Sequence, residues 1–360
     1  MSSIAGFFHP FYDFTVDTKL TSGISDSMLS SLAHRGPDDK NCLVTPPGVL
    51  LHTALFLTPN TPRQPSRGQG NLRHLSITYD GSIINMPELK STLRSRSIST
   101  KDLTDCEVLL YLFYLYGIKF ARLLRGGYAI CILDEFHHRL YLFRDPMGVK
   151  PLFFYQAQGT LVFASEPKGI LAYPGIEPKV DLNGLNEIFS LGPARTPGCG
   201  IYKDMLEVKP GHVVAYSKEG YSDITFWKLE SRVHRESYED TVAHISFLLK
   251  DIIHRQMSSG NICSFLSGGL DSSIVTALVN HELKNTSTNC PNDNDNNCAM
   301  PRHFHGPWTY IPVECYFGKI SYNLFIWKTM YRMLIKIPAR KFSSWPRILL
   351  ITAFTADSLY

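Results

Sequence analysis

The stretch of this chain best suited to chemistry is Ser267-Gly268-Gly269-Leu270-Asp271-Ser272-Ser273. An apolar run, Ile262 to Leu266, interrupted only by Cys263 and Ser264, leads in, and a helix-like stretch, Ser272 to Leu283, leads out. Two consecutive glycines at a strand-to-helix turn let the backbone approach an anion closely. The N–H groups of the turn and first helical turn then point at it. Ser267 and Ser272 add hydroxyl donors. Asp271 would repel a phosphate unless Mg²⁺ bridged the two, because hard cations take carboxylate and phosphate oxygens together. The Gly-Lys-Ser/Thr ending of a P-loop is absent. The competing reading of the same residues is a Gly-Ser turn before a helix with an acidic first turn.

The elements that would position this loop and the residues before it are legible in outline. Ala129 to Leu133 and Leu140 to Phe143, separated by a turn beginning at Asp134-Glu135, predict a β-hairpin, and Leu161 to Ala164 a further strand. Cys106 to Phe120 carries leucines and aromatics at helical spacing. Ser237 to Gln256 predicts a second helix with Ile245, Leu248, Leu249 and Ile252 on one face, and Leu191 to Gly200, rich in Gly and Pro, an ordered loop. The length of 360 residues suits two domains, with the boundary in the loop region 196–235, before that helix.

Composition excludes several classes. The net charge of +4 is modest, and no Lys/Arg run interleaved with aromatics precedes residue 300, which argues against nucleic acid as a partner. Eight scattered cysteines form no CxxC pair, and thirteen histidines form no HxxxH or HExxH pair, so neither a disulfide framework nor a zinc site is expected. Met1 to Phe11 lacks the features of a signal peptide, and no apolar run reaches the roughly 18 residues of a membrane span. The expectation is a cytoplasmic enzyme with reduced thiols and no membrane partner.

The pattern changes near residue 285. Asn285 to Asn297 is almost entirely polar, and Pro301 to Tyr360 is aromatic and basic, with a helical candidate at Asn323 to Ile337 that lacks clean amphipathicity. A nucleotide-binding α/β domain should continue with strand–helix alternation, which is not evident here. The segment reads either as a linker with a small helical tail or as a sequence foreign to the fold, of the kind a shifted reading frame produces.

An ordered series of motifs carries a family resemblance. Ile4-Ala5-Gly6-Phe7, His34-Arg35-Gly36-Pro37-Asp38-Asp39, Asp105-Cys106-Glu107-Val108-Leu109-Leu110, Arg144-Asp145-Pro146-Met147-Gly148-Val149-Lys150-Pro151-Leu152, Phe163-Ala164-Ser165-Glu166, Pro210-Gly211-His212 and the Ser267–Ser273 loop follow one another across residues 1–284. Together they resemble the glutamine-hydrolysing asparagine synthetases of bacteria, and the loop resembles the pyrophosphate loop of ATP pyrophosphatases. The resemblance implies an α+β four-layer sandwich of the N-terminal-nucleophile amidohydrolase type at 1–210. The start of an α/β parallel-sheet ATP domain follows at 211–284, with residues 285–360 unaligned. It implies a nucleotide site at Leu266, Ser267, Gly268, Gly269, Leu270, Asp271, Ser272 and Ser273, with ATP and Mg²⁺ as cofactors and Asp271 on the metal. The substrates it implies are aspartate and glutamine or ammonia. The chemistry would be glutamine hydrolysis in the first domain and ATP-dependent amidation of aspartate, through aspartyl-AMP, in the second.

Departures from the family pattern fall on the glutaminase site. Where the family opens Met-Cys-Gly, this chain has Met1-Ser2-Ser3, and a serine hydroxyl is far less ionised than a thiol. Where the family has an Arg two residues after a His to hold the glutamine carboxylate, Ala54 follows His52-Thr53. Asp80 stands for the family's oxyanion-hole Asn, and a carboxylate repels developing negative charge. Gly81 and Asp105, the latter matching the acid that meets the glutamine amine, are retained. The expectation is a folded but impaired glutaminase site joined to an ATP domain cut short. Arg35, Asp38, Arg144, Asp145, Glu166 and Lys168 read as charge-paired structural anchors. Two other functions compete, an ATP-dependent amide-forming cyclase of the same superfamily and a non-catalytic binding partner. Either a homodimer or a heterodimer fits the family.

Overall fold

The computed structural model describes residues 2–56, 61–191, 194–257, 262–264, 269–287 and 349–351. They fall into two compact units, the first ending at Ser231 and the second beginning at Arg232.

The first unit holds two six-stranded antiparallel sheets. One runs in the order β10 (Met205–Glu207), β8 (Phe153–Ala157), β9 (Thr160–Ala164), β1 (Ser3–Phe8), β3 (Gly48–Ala54), β2 (Asp39–Thr45). The other runs β12 (Gly220–Thr225), β11 (His212–Ser217), β7 (Arg139–Arg144), β6 (Gly126–Asp134), β5 (Leu75–Ile83), β4 (Ser66–Arg67). Alternation of side chains explains the layering. Ile4 and Phe8 of β1 and Ala129, Cys131 and Leu133 of β6 pack between the sheets. Ala5 and Phe7 of β1 face outward onto Met28 and Leu29 of α1 (Thr18–Ser31) and Ile170 of α4 (Pro167–Leu171). Tyr128, Ile130 and Ile132 of β6 meet Leu89 and Leu93 of α2 (Met86–Arg94) and Val108, Leu109 and Leu112 of α3 (Asp105–Tyr116). The result is helix, sheet, sheet, helix, the four-layer sandwich expected. A boundary at 210/211 would divide the second sheet, since β11 pairs with both β7 and β12. These two strands complete the first unit.

The α3 helix begins at a capping box in which Thr104 and Glu107 bond each other's backbone N–H. It stops at Gly117, whose φ of +55° breaks the helical run, so the segment from Gly117 to Leu123 is a separate 3₁₀ turn. A short helix, α5 (Leu182–Leu191), precedes the Pro/Gly loop. Within that loop Thr196 donates from both its amide and its hydroxyl to Glu187, and the Arg195 guanidinium lies over the Phe153 ring.

In the second unit, α6 (Tyr238–Gln256) and α7 (Leu270–Ser287) pack through Ile253 and Val279. The short β13 (Ile262–Ser264) pairs in parallel with β14 (Leu349–Ile351), which lies in the segment that sequence reading left unaligned. The helical candidate at Asn323 to Ile337 lies outside the described residues.

Candidate functional site

Ser2 sits at the head of β1, the central strand of its sheet with β9 and β3 on either side. Its Oγ accepts a hydrogen bond from the amide of Leu55 at 3.2 Å, just past the end of β3. Its carbonyl oxygen accepts from Arg35 Nε at 3.0 Å. That guanidinium also reaches Glu166 Oε1 at 3.1 Å and Asp80 Oδ2 at 3.2 Å. Arg35 therefore joins three chain segments remote in sequence, and its side chain is only 9% exposed.

Asp80 lies on β5 in the opposite sheet, with a side chain 4% exposed. Its second oxygen, Oδ1, pairs with Lys150 Nζ at 3.1 Å. Lys150 is placed by the loop before it. Arg144 donates to the carbonyls of Lys150, Gly148 and Val208 and pairs with Glu207 at 3.0 Å. Asp145 accepts from the amides of Tyr128, Met147, Val149 and Lys150. Arg144 and Asp145 thus act as loop anchors, and the chemistry they serve is the placement of Lys150. Asp38 accepts from the amide of Phe56, close to Ala54 and Leu55. Glu166, within reach of His34, Arg35 and Lys168, closes the rim.

Gly81 has a structural role of its own. A Cβ there would collide with the carbonyl oxygen of Gly127 on the paired strand β6. The neighbouring Tyr79 faces the helix side of β5. Burial pushes the carboxyl of Asp105, at the start of α3, up, against the lowering influence of Lys90 and of the Tyr79 hydroxyl. Asp105 and Asp80 therefore lie in separate surroundings, and only Asp80 is ion-paired, with Arg35 and Lys150. His52, also between the sheets, bonds Thr78 Oγ1 through Nδ1 at 3.1 Å, and burial pulls its pKa down to about 4.

Of the expected nucleotide loop, Leu266, Ser267 and Gly268 lie outside the described residues. Gly269, Leu270, Asp271 and Ser273 are exposed at the start of α7, and Ser272 is buried. The hydroxyls of Ser272 and Ser273 both donate to the carbonyl of Gly269, at 3.2 and 2.8 Å. Thr276 bonds Ser264 at 2.6 Å and ties the helix back to β13. Among the described residues no three His, Cys, Asp or Glu side chains converge on a metal position. Mg²⁺ needs fewer, since it is commonly held by one or two carboxylates and the phosphates of its nucleotide, and the exposed Asp271 fits that pattern. No helix among the described residues is long and apolar enough to cross a membrane.

Residues 1–227 match the glutamine amidotransferase domain family, and the chain belongs to it. Residues 244–295 match the asparagine synthase family, so the two matches follow the order in which the glutamine-hydrolysing asparagine synthetases, the family first suggested by the motifs, arrange their parts. Asparagine synthetase [glutamine-hydrolyzing] 3 of Bacillus subtilis is 38% identical over 71% of this chain and 42% of its own length. Asparagine synthetase [glutamine-hydrolyzing] 2 of the same organism is 27% identical over 71% of this chain and 36% of its own. This chain thus spans well under half the length of these relatives. A solved glutamine phosphoribosylpyrophosphate amidotransferase of B. subtilis is 20% identical over 64% of this chain and 50% of that one, with a TM-score of 0.42.

The residues that sequence reading missed are Lys150, as the partner of Asp80, and Tyr79, whose hydroxyl influences the Asp105 carboxyl. Lys150 stood within the Arg144–Leu152 motif, but no spacing rule joins it to a carboxylate seventy positions earlier. Tyr79 gave no signal beyond its place in an apolar strand.

Proposed function

We propose that the first unit is an amidotransferase-type domain of strongly reduced glutaminase activity. In this reading it is joined to the ATP-binding beginning of an asparagine synthetase-like domain. The parental reaction is ATP-dependent amidation of aspartate through aspartyl-AMP, with glutamine or ammonia as nitrogen source. The observation that supports the reduced activity is the state of Asp80. It is a buried carboxylate in double ion pairing beside the residue in the nucleophile's place.

Ser2 Oγ would attack the glutamine carboxamide once its own amine is freed, with that amine taking the proton. The Leu55 amide fixes the hydroxyl's orientation. A developing oxyanion near Asp80 meets an acceptor-only carboxylate, its charge offset by Arg35 and Lys150, where an amide would donate an N–H. Ala54 leaves the substrate carboxylate without a guanidinium at that position. In the second unit, the amides at the start of α7 would face the nucleotide's phosphates, and Asp271 would hold Mg²⁺, which neutralises phosphate charge when bound.

The test is glutamate release from glutamine by the purified chain, with Ser2→Ala and Ser2→Cys as comparisons. Slow release abolished by Ser2→Ala and raised at least about tenfold by Ser2→Cys supports the reading. Release by the unaltered chain at the rate of the Ser2→Cys variant refutes it. Pyrophosphate release dependent on aspartate and ammonia tests the second unit. Release with a different carboxylic acid would favour the cyclase. No release together with co-purification of an intact synthetase would favour the non-catalytic partner.

A further inference from the structure

Two cations, Arg35 and Lys150, converge on Asp80, and bonds that do not involve Asp80 hold the side chain of the first and the backbone of the second. Arg35 is held by its Nε on the Ser2 carbonyl and its Nη1 on Glu166. Lys150 is held by its backbone, through its carbonyl on Arg144 and its amide on Asp145. Their side chains are 9% and 17% exposed. Charges so far removed from water need a counter-ion, and each takes one oxygen of Asp80, at 3.2 and 3.1 Å. The carboxylate comes from the facing sheet, on β5, rather than from the loops carrying the cations.

We propose that Arg35 and Lys150 form an anion-binding pair suited to a carboxylate or a tetrahedral oxyanion, and that the chain's own Asp80 carboxylate occupies it. Neutralising Asp80 would open the pair to an anion from solution. The location beside a nucleophile rests on the amidotransferase reading above, whereas occupancy of the pair does not, so its test does not use turnover.

The experiment is thermal unfolding of the full chain, of Asp80→Asn and of Asp80→Asn/Lys150→Met. Each is measured in inorganic phosphate, in acetate and in sodium chloride at matched ionic strength. The unaltered chain sets the general effect of each salt, since phosphate stabilises folded chains by exclusion from their surface. Beyond that effect, Asp80→Asn should rise by about 5 °C in phosphate or acetate at a hundredfold excess over Kd. Preference for acetate assigns the pair to a carboxylate, and preference for phosphate to a tetrahedral oxyanion. The double variant, with one cation and one anion removed together, should lose the response. Should Asp80→Asn fold only when phosphate or acetate is present, the proposal also holds. A single variant that responds to the salts no more than the unaltered chain overturns it, as does a double variant that keeps the response. So does a single variant that stays unfolded in every salt while the double variant folds.

Discussion

Arg35 Nη2 lies 3.2 Å from Asp80 Oδ2 across 45 residues of sequence, with both side chains almost fully withdrawn from water. Removing Arg35 leaves Asp80 Oδ2 and the Ser2 carbonyl without their donor, while Lys150 still offsets the carboxylate charge. Arg35→Met should therefore destabilise the first unit by about 2 kcal/mol, the cost of buried acceptors left unpaired. Urea unfolding followed by fluorescence checks this. A loss below about 1 kcal/mol would mean that water reaches the pair.

Asp145 is 1% exposed and accepts four backbone N–H bonds, which gather the chain between Tyr128 and Lys150. Asp145→Ala should cost about 3 kcal/mol, as bonds to a charged acceptor are lost and amides are left unpaired. Hydrogen exchange should show the amides of Met147, Val149 and Lys150 losing protection before the rest of the sheet.

Gly81→Ala should disrupt the pairing of β5 with β6, because the new Cβ meets the Gly127 carbonyl at a φ of +154°. A destabilisation of about 3 kcal/mol is expected, measured as a shift in the denaturation midpoint. A variant that melts like the unaltered chain would show that the strand can part there without consequence.

His52 makes stability depend on pH. Burial holds its folded pKa down to about 4, against an ordinary value of 6.5. Above 6.5 the imidazole is neutral in both states and the contribution is complete. As pH falls from 6.5 to 4, the unfolded chain takes up the proton first, and stability is lost. The loss approaches about 3 kcal/mol over that window. His52→Gln should unfold with a flatter pH profile between 7 and 4, and an unchanged slope would remove His52 as the cause.

What sequence alone could reveal was governed by range. The β6–β7 hairpin and β9 were legible because apolar runs bounded by turn residues report local geometry, as did the capped start of α6 at Ser237. Cys106 to Phe120 was read as one helix, yet Gly117 ends α3 with a positive φ that periodicity does not register. On α6, Ile245, Leu248 and Ile252 form the apolar stripe expected, but they are exposed, and Ile253 makes the buried contact with α7. The charged motifs were recognised as anchors. What each anchors emerged only in three dimensions, because Arg35, Asp80, Lys150 and Glu166 come from four separate segments.

The place of β1 in its sheet has a consequence for how the chain is made. It leaves the ribosome before either of its neighbours, β3 at residues 48–54 and β9 at residues 160–164. One edge of β1 can pair early, while the other waits for more than a hundred further residues. At cellular elongation rates of about 5–20 residues per second, that interval is roughly ten seconds. Any cotranslational enzyme that trims or modifies the chain next to Ser2 acts on a half-paired strand during that time. After β9 arrives, Ala5 to Phe8 of the same strand are paired on both sides.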